Sequence, residues 1–143
     1  MTYTVKSDAE TEAIGRGLAE LLDNSKRKSA VIAMRGEMGV GKTVFTRGFA
    51  SYFGIGSVKS PTYTVVNEYG ANGRKIFHFD LYRISDSDDL YSVGFDEYLC
   101  KEGYSIIEWS ERIPEEIPED AITVEISRVE GNEEERIIEI SNL

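Results

Sequence analysis

A glycine-rich segment restricts the fold of this chain more than any other part of its sequence: Gly36-Glu37-Met38-Gly39-Val40-Gly41-Lys42-Thr43. It matches G-x-x-x-x-G-K-[ST], the pattern of a phosphate-binding loop. Its glycines allow backbone conformations that a Cβ would block, so successive N–H groups can point at one anion. In such loops the lysine, here Lys42, reaches the β- and γ-phosphates of a nucleotide. The hydroxyl of the next residue, here Thr43, is a ligand of Mg²⁺.

The residues on either side of the loop fit the setting that this motif requires. Ala30–Met34 is a short apolar run, which predicts a buried strand that ends at the loop. Apolar residues recur with helical spacing from Thr43 to Phe53, and Gly54 is expected to end that helix. A glycine-rich turn without a ligand remains the alternative, but strand, loop and helix in this order favour nucleotide binding.

Two acidic residues follow apolar strands and are candidates for the metal and for catalysis. Asp80 follows the apolar part of a predicted strand, Lys75–Tyr82, and Glu108 ends another, Tyr104–Ile107. In P-loop enzymes an acid at the end of a neighbouring strand holds the metal or its water. We predict that one carboxylate contacts Mg²⁺ and that the other orders the attacking water. The alternative for each is a solvated acid beyond a strand.

These elements predict a single α/β domain over residues 1–143. We expect a three-layer fold like that of P-loop NTPases, with a mixed, mainly parallel central sheet and helices on both faces. Turns at Asn72-Gly73 and Gly131-Asn132 add antiparallel hairpins. Tyr3–Val5 is a candidate edge strand, and Ser7 is expected to cap the helix that follows it.

Three further residues each have two interpretations. Thr11 lies in the first turns of the helix that begins after Ser7, where the pattern alone favours a solvated residue. Arg136 is expected to start the last strand, either as a solvated charge, which is favoured, or in contact with a base or ribose. A single tryptophan such as Trp109 usually lies in the core or at an interface. Because it directly follows Glu108, the other interpretation is that it shields the candidate metal site from water.

Composition limits the classes of partner. The net charge is −10, whereas a protein that binds nucleic acid alone should carry a basic patch. The acidity favours a protein partner, or a nucleotide whose charge is met by the loop and a metal. One cysteine, Cys100, excludes an internal disulfide framework. The absence of a long apolar run or signal peptide predicts a soluble cytoplasmic protein that does not bind membranes.

Four segments together carry a resemblance to a known family. They are the loop, Ser60-Pro61-Thr62-Tyr63-Thr64, His78-Phe79-Asp80-Leu81-Tyr82-Arg83 and Ile107-Glu108-Trp109-Ser110-Glu111. In this order and spacing they resemble the bacterial TsaE (YjeE) family, over nearly the whole chain. The loop has Glu37-Met38 and Val40 where the family more often has Asp-Leu and Ala, and Tyr63 replaces a frequent Phe. None of these departures removes a phosphate or metal group.

The resemblance implies a small Mg²⁺-dependent P-loop ATPase. Members of the family are needed to form threonylcarbamoyladenosine at position 37 of tRNAs that read codons starting with A. They act with the proteins TsaD and TsaB, while TsaC-type enzymes make the threonylcarbamoyl-adenylate. The TsaE protein is not itself the transferase, so it would bind and hydrolyse ATP to reset the complex between turnovers. It would meet tRNA only indirectly, through that complex.

The resemblance also implies roles by position. Lys42, Asp80 and Glu108 would be catalytic, and Thr43 and Glu108 would bind Mg²⁺. The residues that would contact ATP are Thr11, Glu37, Met38, Gly39, Val40, Gly41, Lys42, Thr43, Val44, Thr62, Trp109 and Arg136.

The loop also predicts how the chain behaves alone. Gly39 and Val40 supply no arginine to the γ-phosphate, so hydrolysis by the isolated chain is expected to be slow and to be stimulated by partners. Two other functional hypotheses stay open: a non-enzymatic adaptor, in which the bound nucleotide only sets a binding conformation, and a small-molecule kinase. The kinase is disfavoured because few arginines follow Arg83 to form a lid, and GTP is disfavoured because no Asn-Lys-x-Asp motif occurs.

Overall fold

A computed structural model of the chain describes residues 1–61 and 65–143, and all of the strands assigned there belong to one sheet. The strands are β1 (Thr2–Val5), β2 (Ala30–Arg35), β3 (Val66–Ala71), β4 (Arg74–Asp80), β5 (Tyr104–Glu108), β6 (Ile122–Val129) and β7 (Asn132–Ser141). The helices are α1 (Asp8–Asn24), α2 (Lys42–Tyr52), α3 (Ser87–Ser92) and α4 (Phe95–Leu99), with short 3₁₀ turns at Ser110–Arg112 and Pro114–Glu116.

The sheet has the order β1-β7-β6-β2-β5-β4-β3. Its middle four strands, β6, β2, β5 and β4, run parallel to one another. The outer pairs are antiparallel: β3 with β4, β6 with β7, and β7 with β1. The prediction of a mixed sheet that is parallel in the middle and extended by hairpins is therefore confirmed.

Helices cover both faces of this sheet. On one face α1 and α2 pack with Ile32 and Ile106 in a cluster that includes Leu22 and Phe49. On the other face a second cluster brings Leu90 of α3 and Phe95 of α4 onto strand residues that include Phe77, Phe79 and Ile107. Because alternate residues of a strand point to opposite faces, β4 contributes to both clusters. The predicted three-layer arrangement is confirmed.

The directions of the strands place several connecting segments together at one edge of the sheet, the edge at which the parallel strands end. The parallel strands β6, β2, β5 and β4 all end at this edge. β1 runs in the same direction, because it is antiparallel to β7, which is antiparallel to β6. The segments that leave β1, β2, β4 and β5 and the turn between β6 and β7 therefore meet there. Ligands of open α/β sheets bind at this carboxyl edge.

Two glycines let α1 and α2 pack in close contact. A Cβ at Gly15 would lie 2.2 Å from the backbone oxygen of Phe45, and one at Gly48 would lie 2.1 Å from the backbone oxygen of Glu12. No side chain larger than hydrogen fits at either point without a shift of the backbone. The close packing brings the first turns of α1 beside the loop that precedes α2.

The structure corrects three predicted boundaries. The last hairpin turns at Glu130-Gly131, one residue before the prediction, because Asn132 already pairs with Val129 and Gly131 has φ +82°. β4 ends at Asp80 and not at Tyr82, because the Asp80 carboxylate accepts the Tyr82 N–H (2.9 Å) and turns the chain. Arg136 lies inside β7 and not at its start. The turn at Asn72-Gly73 is confirmed, with positive φ at both residues.

Candidate nucleotide and metal site

The phosphate-binding loop leaves unpaired N–H groups at the start of α2. Gly41 is the N-cap, has φ +118° and provides no side-chain hydrogen bond to the helix. Gly39 also has a positive φ, +75°, which places both residues in conformations that L side chains rarely adopt. The first N–H groups of a helix have no partner within the helix. An anion fits here, since it would accept from these groups at the positive end of the helix dipole.

Lys42 lies under the loop, and its side chain is held by the loop backbone. The residue is only 5% exposed. Its ammonium group donates to the backbone oxygens of Gly36 and of Glu37, the latter at 3.2 Å. The same nitrogen lies 3.9 Å from the centroid of the Trp109 ring, at the distance of a cation–π contact. The lysine is thus fixed at the base of the loop.

The charge of Lys42 is set by burial and by three carboxylates. Burial removes water from the ammonium and lowers the pKa of Lys42 below its ordinary value. The carboxylates of Glu108, Glu111 and Asp80 act in the opposite direction. A phosphate brought to the loop would add further negative charge beside an ammonium that has little water around it, which strengthens the attraction.

Oxygen atoms suited to Mg²⁺ meet beside the loop. The Thr43 hydroxyl donates to Oε2 of Glu108 at 3.3 Å. Asp80 and Glu108 are directly opposite each other at the ends of β4 and β5. Glu108 is buried, whereas Asp80 is partly exposed. These hydroxyl and carboxylate oxygens fit Mg²⁺, which is usually bound by one or two carboxylates together with water and substrate phosphates.

The described residues do not form a complete metal cage. Among them, no group of three or more His, Cys, Asp or Glu side chains is arranged to hold a metal ion. A dedicated site with only protein ligands is therefore not what this part of the chain offers. The arrangement fits an ion whose remaining ligands come from a bound nucleotide and from water.

A cleft of about 810 Å³ contains this site, which is large enough for a nucleotide. Of the predicted site residues, Glu37 does not line the cleft: its side chain is 82% exposed and pairs with Arg128 (2.7 Å). Thr62 lies outside the described residues. The predicted residues that do line the cleft are Thr11, Met38, Gly39, Val40, Gly41, Lys42, Thr43, Val44, Asp80, Glu108, Trp109 and Arg136.

The structure overturns the solvated interpretations of Thr11 and Arg136. Thr11 is 4% exposed, because the close packing of α1 and α2 places it beside Gly41, and its hydroxyl donates to the Ser7 backbone oxygen (3.3 Å). Arg136 is half-buried, and its Nε donates to the Val40 backbone oxygen at 3.2 Å. Both residues thus contact the loop or border it.

One short segment touches the loop at three points. Glu108 accepts from Thr43, Trp109 lies against Lys42, and Glu111 accepts the N–H of Gly36 at 3.2 Å. Trp109 has φ +59°, which turns the chain sharply between the two glutamates. Tyr82 also lines the cleft, and its ring centroid is 5.0 Å from that of Trp109. The indole is half-buried, because it lines the cleft and also packs against the second core cluster.

Sequence reasoning missed an arginine at the loop. Arg128, near the end of β6, donates to the carboxylate of Glu37 and to the Met38 backbone oxygen (2.9 Å). Arg128 is thus a second arginine that contacts the loop, besides the predicted Arg136, and Arg83 also lines the cleft. Arg128 reaches the loop because β6 pairs in parallel with β2, and the sequence does not reveal that pairing. Other lining residues that the sequence did not assign to the site are Lys6, Ser7, Asp8, Ser60, Tyr82, Glu133 and Glu134.

Comparison with known proteins identifies the family. The family model described as "Threonylcarbamoyl adenosine biosynthesis protein TsaE" matches residues 5–138. The chain belongs to the TsaE family. The match includes the loop, Asp80, Glu108 and Arg136, so the family assignment and the cleft concern the same part of the chain.

Individual relatives in the TsaE family extend over most of the chain. The protein named "tRNA threonylcarbamoyladenosine biosynthesis protein TsaE" from Haemophilus influenzae is 36% identical over 145 residues, covering 100% of this chain and 92% of its own. The protein of the same name from Bacillus subtilis is 38% identical over 128 residues, covering 88% and 77%. The crystal structure of YdiB from Bacillus subtilis superposes with a TM-score of 0.80 at 28% identity, covering 98% of this chain and 83% of that one.

The P-loop NTPase-like fold expected for the TsaE family is thus shared with a solved structure over nearly the full length of the chain. The relatives are named for the biosynthesis of threonylcarbamoyladenosine in tRNA. Within the part of the chain that the structure describes, no helix is long and apolar enough to cross a membrane.

Proposed function

We propose that this TsaE-family chain binds Mg·ATP in the cleft and hydrolyses it. The observation that carries the proposal is the meeting of three groups at one sheet edge: the loop with its buried Lys42, the hydroxyl–carboxylate pair of Thr43 and Glu108, and Asp80 beside them. Phosphoryl transfer to water is catalysed mainly by positioning and electrostatic stabilisation, and this arrangement offers both.

Each residue has a distinct part in this proposal. The loop amides and Lys42 hold the phosphates, while Thr43 and Glu108 hold Mg²⁺. When bound, the metal would offset charge on the β- and γ-phosphate oxygens. Asp80 is less buried than Glu108 and faces the same cleft, so it is suited to accept a proton or hydrogen bond from the attacking water.

The nucleoside would lie on the side of the cleft formed by α1 and β7. Thr11 lines the cleft beside Gly41, and Arg136 holds the Val40 carbonyl. Val40 and Val44 add apolar surface to the same cleft. This combination of apolar walls with a few polar groups is typical of small-molecule sites. We propose contacts with ATP for these residues, together with Met38 and Trp109, which line the same cleft.

The biological role that we propose is in threonylcarbamoylation of adenosine 37 in tRNAs that read codons starting with A. The chain would act with TsaD and TsaB, and ATP hydrolysis would reset the complex between turnovers. It would not be the transferase and would meet tRNA only through the complex, which suits a net charge of −10. Residues 1–143 would work as one domain, in the cytoplasm, where tRNA is modified.

Slow turnover of the isolated chain is part of the proposal. Two arginines contact the loop, but Arg128 is engaged with Glu37 and the Met38 carbonyl, and Arg136 with the Val40 carbonyl. An arginine that stabilises the transition state accelerates hydrolysis by about 10³–10⁵-fold in related chemistry. A partner would supply or order an arginine at the phosphate.

Release of phosphate from ATP tests the proposal. The purified chain is assayed alone and with TsaB and TsaD, with and without Mg²⁺. We expect slow release alone and faster release with both partners and the metal. Tight nucleotide binding without stimulated release would favour the adaptor instead. Transfer of the phosphate to an added small acceptor, without hydrolysis, would favour a kinase.

A further inference from the structure

The single histidine of the chain lies directly beneath the candidate metal site. His78 is in β4, two residues before Asp80, and is fully buried. Its Nε2 contacts Oε2 of Glu108, the same oxygen that accepts from the Thr43 hydroxyl. Because a carboxylate that binds a metal can only accept, this contact is a hydrogen bond in the tautomer that carries a proton on Nε2.

Packing alone does not account for a histidine at this position. Its neighbours on the strand, Ile76, Phe77 and Phe79, are all buried and apolar. The second ring nitrogen, Nδ1, is buried and has no hydrogen-bond partner among the described residues. A phenyl ring would fill a similar space without burying two nitrogens. The feature that distinguishes histidine here is its hydrogen bond to Glu108.

The position of His78 limits what it can do. It does not line the cleft, and it lies on the same face of β4 as Asp80 but one pleat further from the strand end. It therefore reaches the site only through Glu108. Donors on the same carboxylate oxygen from Thr43 and from His78 restrict how that carboxylate can rotate.

We propose that His78 is a positioning residue that holds the Glu108 carboxylate against Thr43, so that the two together bind the Mg²⁺ of the nucleotide complex. The inference rests on the proposed function, because it assumes that Glu108 is a metal ligand. Residues that orient the ligands of a metal typically change its affinity by about 10–100-fold when they are replaced. His78 itself touches neither the metal nor the nucleotide.

The chain contains a suitable probe, because Trp109 is its single tryptophan and lies at the site. Tryptophan fluorescence is titrated with a non-hydrolysable ATP analogue, once in EDTA and once with saturating Mg²⁺. The ratio of the two dissociation constants gives the gain in affinity from the metal. We expect His78→Phe to reduce this gain by about 10–100-fold, while affinity in EDTA stays unchanged. If the gain of the unaltered chain is smaller than that, the ratio of dissociation constants should fall close to one. A purely structural defect would weaken binding in EDTA as well.

Two amide variants provide a matched comparison that does not depend on His78→Phe folding. His78→Gln carries its amide nitrogen near the place of Nε2, whereas His78→Asn carries it near that of Nδ1. We expect Gln to keep most of the gain from the metal and Asn to lose it. Equal gains in Gln, Asn and the unaltered chain would overturn the inference.

Replacement of the partner shows whether His78 acts through Glu108. In a Glu108→Gln background, His78→Phe should cause no further loss of the gain from the metal. A second, additive loss would overturn the inference and leave Glu108 as a ligand. If the unaltered chain binds the analogue equally well with and without Mg²⁺, the metal site of the proposed function itself fails, which is a distinguishable result.

Discussion

At the scale of single residues, the buried ammonium of Lys42 is the most consequential group. It donates to two backbone oxygens of its own loop and lies against the Trp109 ring. These contacts hold a cation with little water around it at the place where the motif requires one. Burial lowers the pKa of Lys42, and an anion that enters the loop acts in the opposite direction, because its charge stabilises the ammonium. The residue serves the ligand more than the core.

Replacement of Lys42 by methionine keeps the aliphatic part of the side chain and removes the charge. We expect Lys42→Met to weaken nucleotide binding by at least tenfold, since a hydrogen bond to a charged group is worth about 1.5–3 kcal/mol. The melting temperature should change little. Calorimetric titration and thermal unfolding measure the two effects.

Lys101→Met is the matched control for this substitution. Lys101 is exposed, lies over the Tyr98 ring and does not line the cleft, so its replacement should leave nucleotide affinity unchanged. Equal affinities in the unaltered chain and Lys42→Met would contradict the role of the lysine.

At the scale of elements, the packing of α1 against α2 determines which residues stand beside the loop. The sequence indicates both helices, and Ser7 caps α1 as expected by accepting the N–H of Glu10. It does not indicate that Gly15 and Gly48 let the two backbones come into contact. That contact buries Thr11, which helical periodicity alone assigned to solvent.

Two glycines of α1 offer a direct comparison. A Cβ at Gly15 would meet the backbone of Phe45, whereas one at Gly17 would have nothing within 4 Å. We expect Gly15→Ala to lower the free energy of unfolding by about 1–3 kcal/mol, the usual cost of overpacking. Gly17→Ala should raise it by about 0.5–1 kcal/mol through helix propensity. Urea unfolding of the two variants checks both signs, and similar values for both would contradict the close contact.

At the scale of the whole molecule, the sheet directions explain why some of the site was predictable. The loop, Asp80 and Glu108 each follow an apolar strand, and parallel strands end at one edge, so local patterns sufficed. Asn72-Gly73 was predictable because asparagine and glycine both tolerate positive φ. The one-residue error in the other turn arose because Gly131 takes the second turn position, and not the first.

The residues that sequence patterns missed or assigned to solvent depend on pairings between distant strands. Arg128 reaches the loop because β6 lies beside β2, and Arg136 is held across from Val5 because β7 pairs with β1. His78 contacts Glu108 because β4 and β5 are neighbours. Periodicity predicts which residues face a core, but it does not say which strands are adjacent. The sequence therefore located the residues expected to bind phosphate and metal, but not the neighbouring residues that hydrogen-bond to them.

The most direct test of the account is calorimetric titration of the purified chain with a non-hydrolysable ATP analogue in the presence of Mg²⁺. The meeting of loop, hydroxyl and carboxylates at one edge predicts a single site per chain. It also predicts that binding is weakened when Mg²⁺ is removed and is weakened at least tenfold in Lys42→Met. The absence of binding by the folded chain, or binding that is indifferent to both the metal and Lys42, would contradict it.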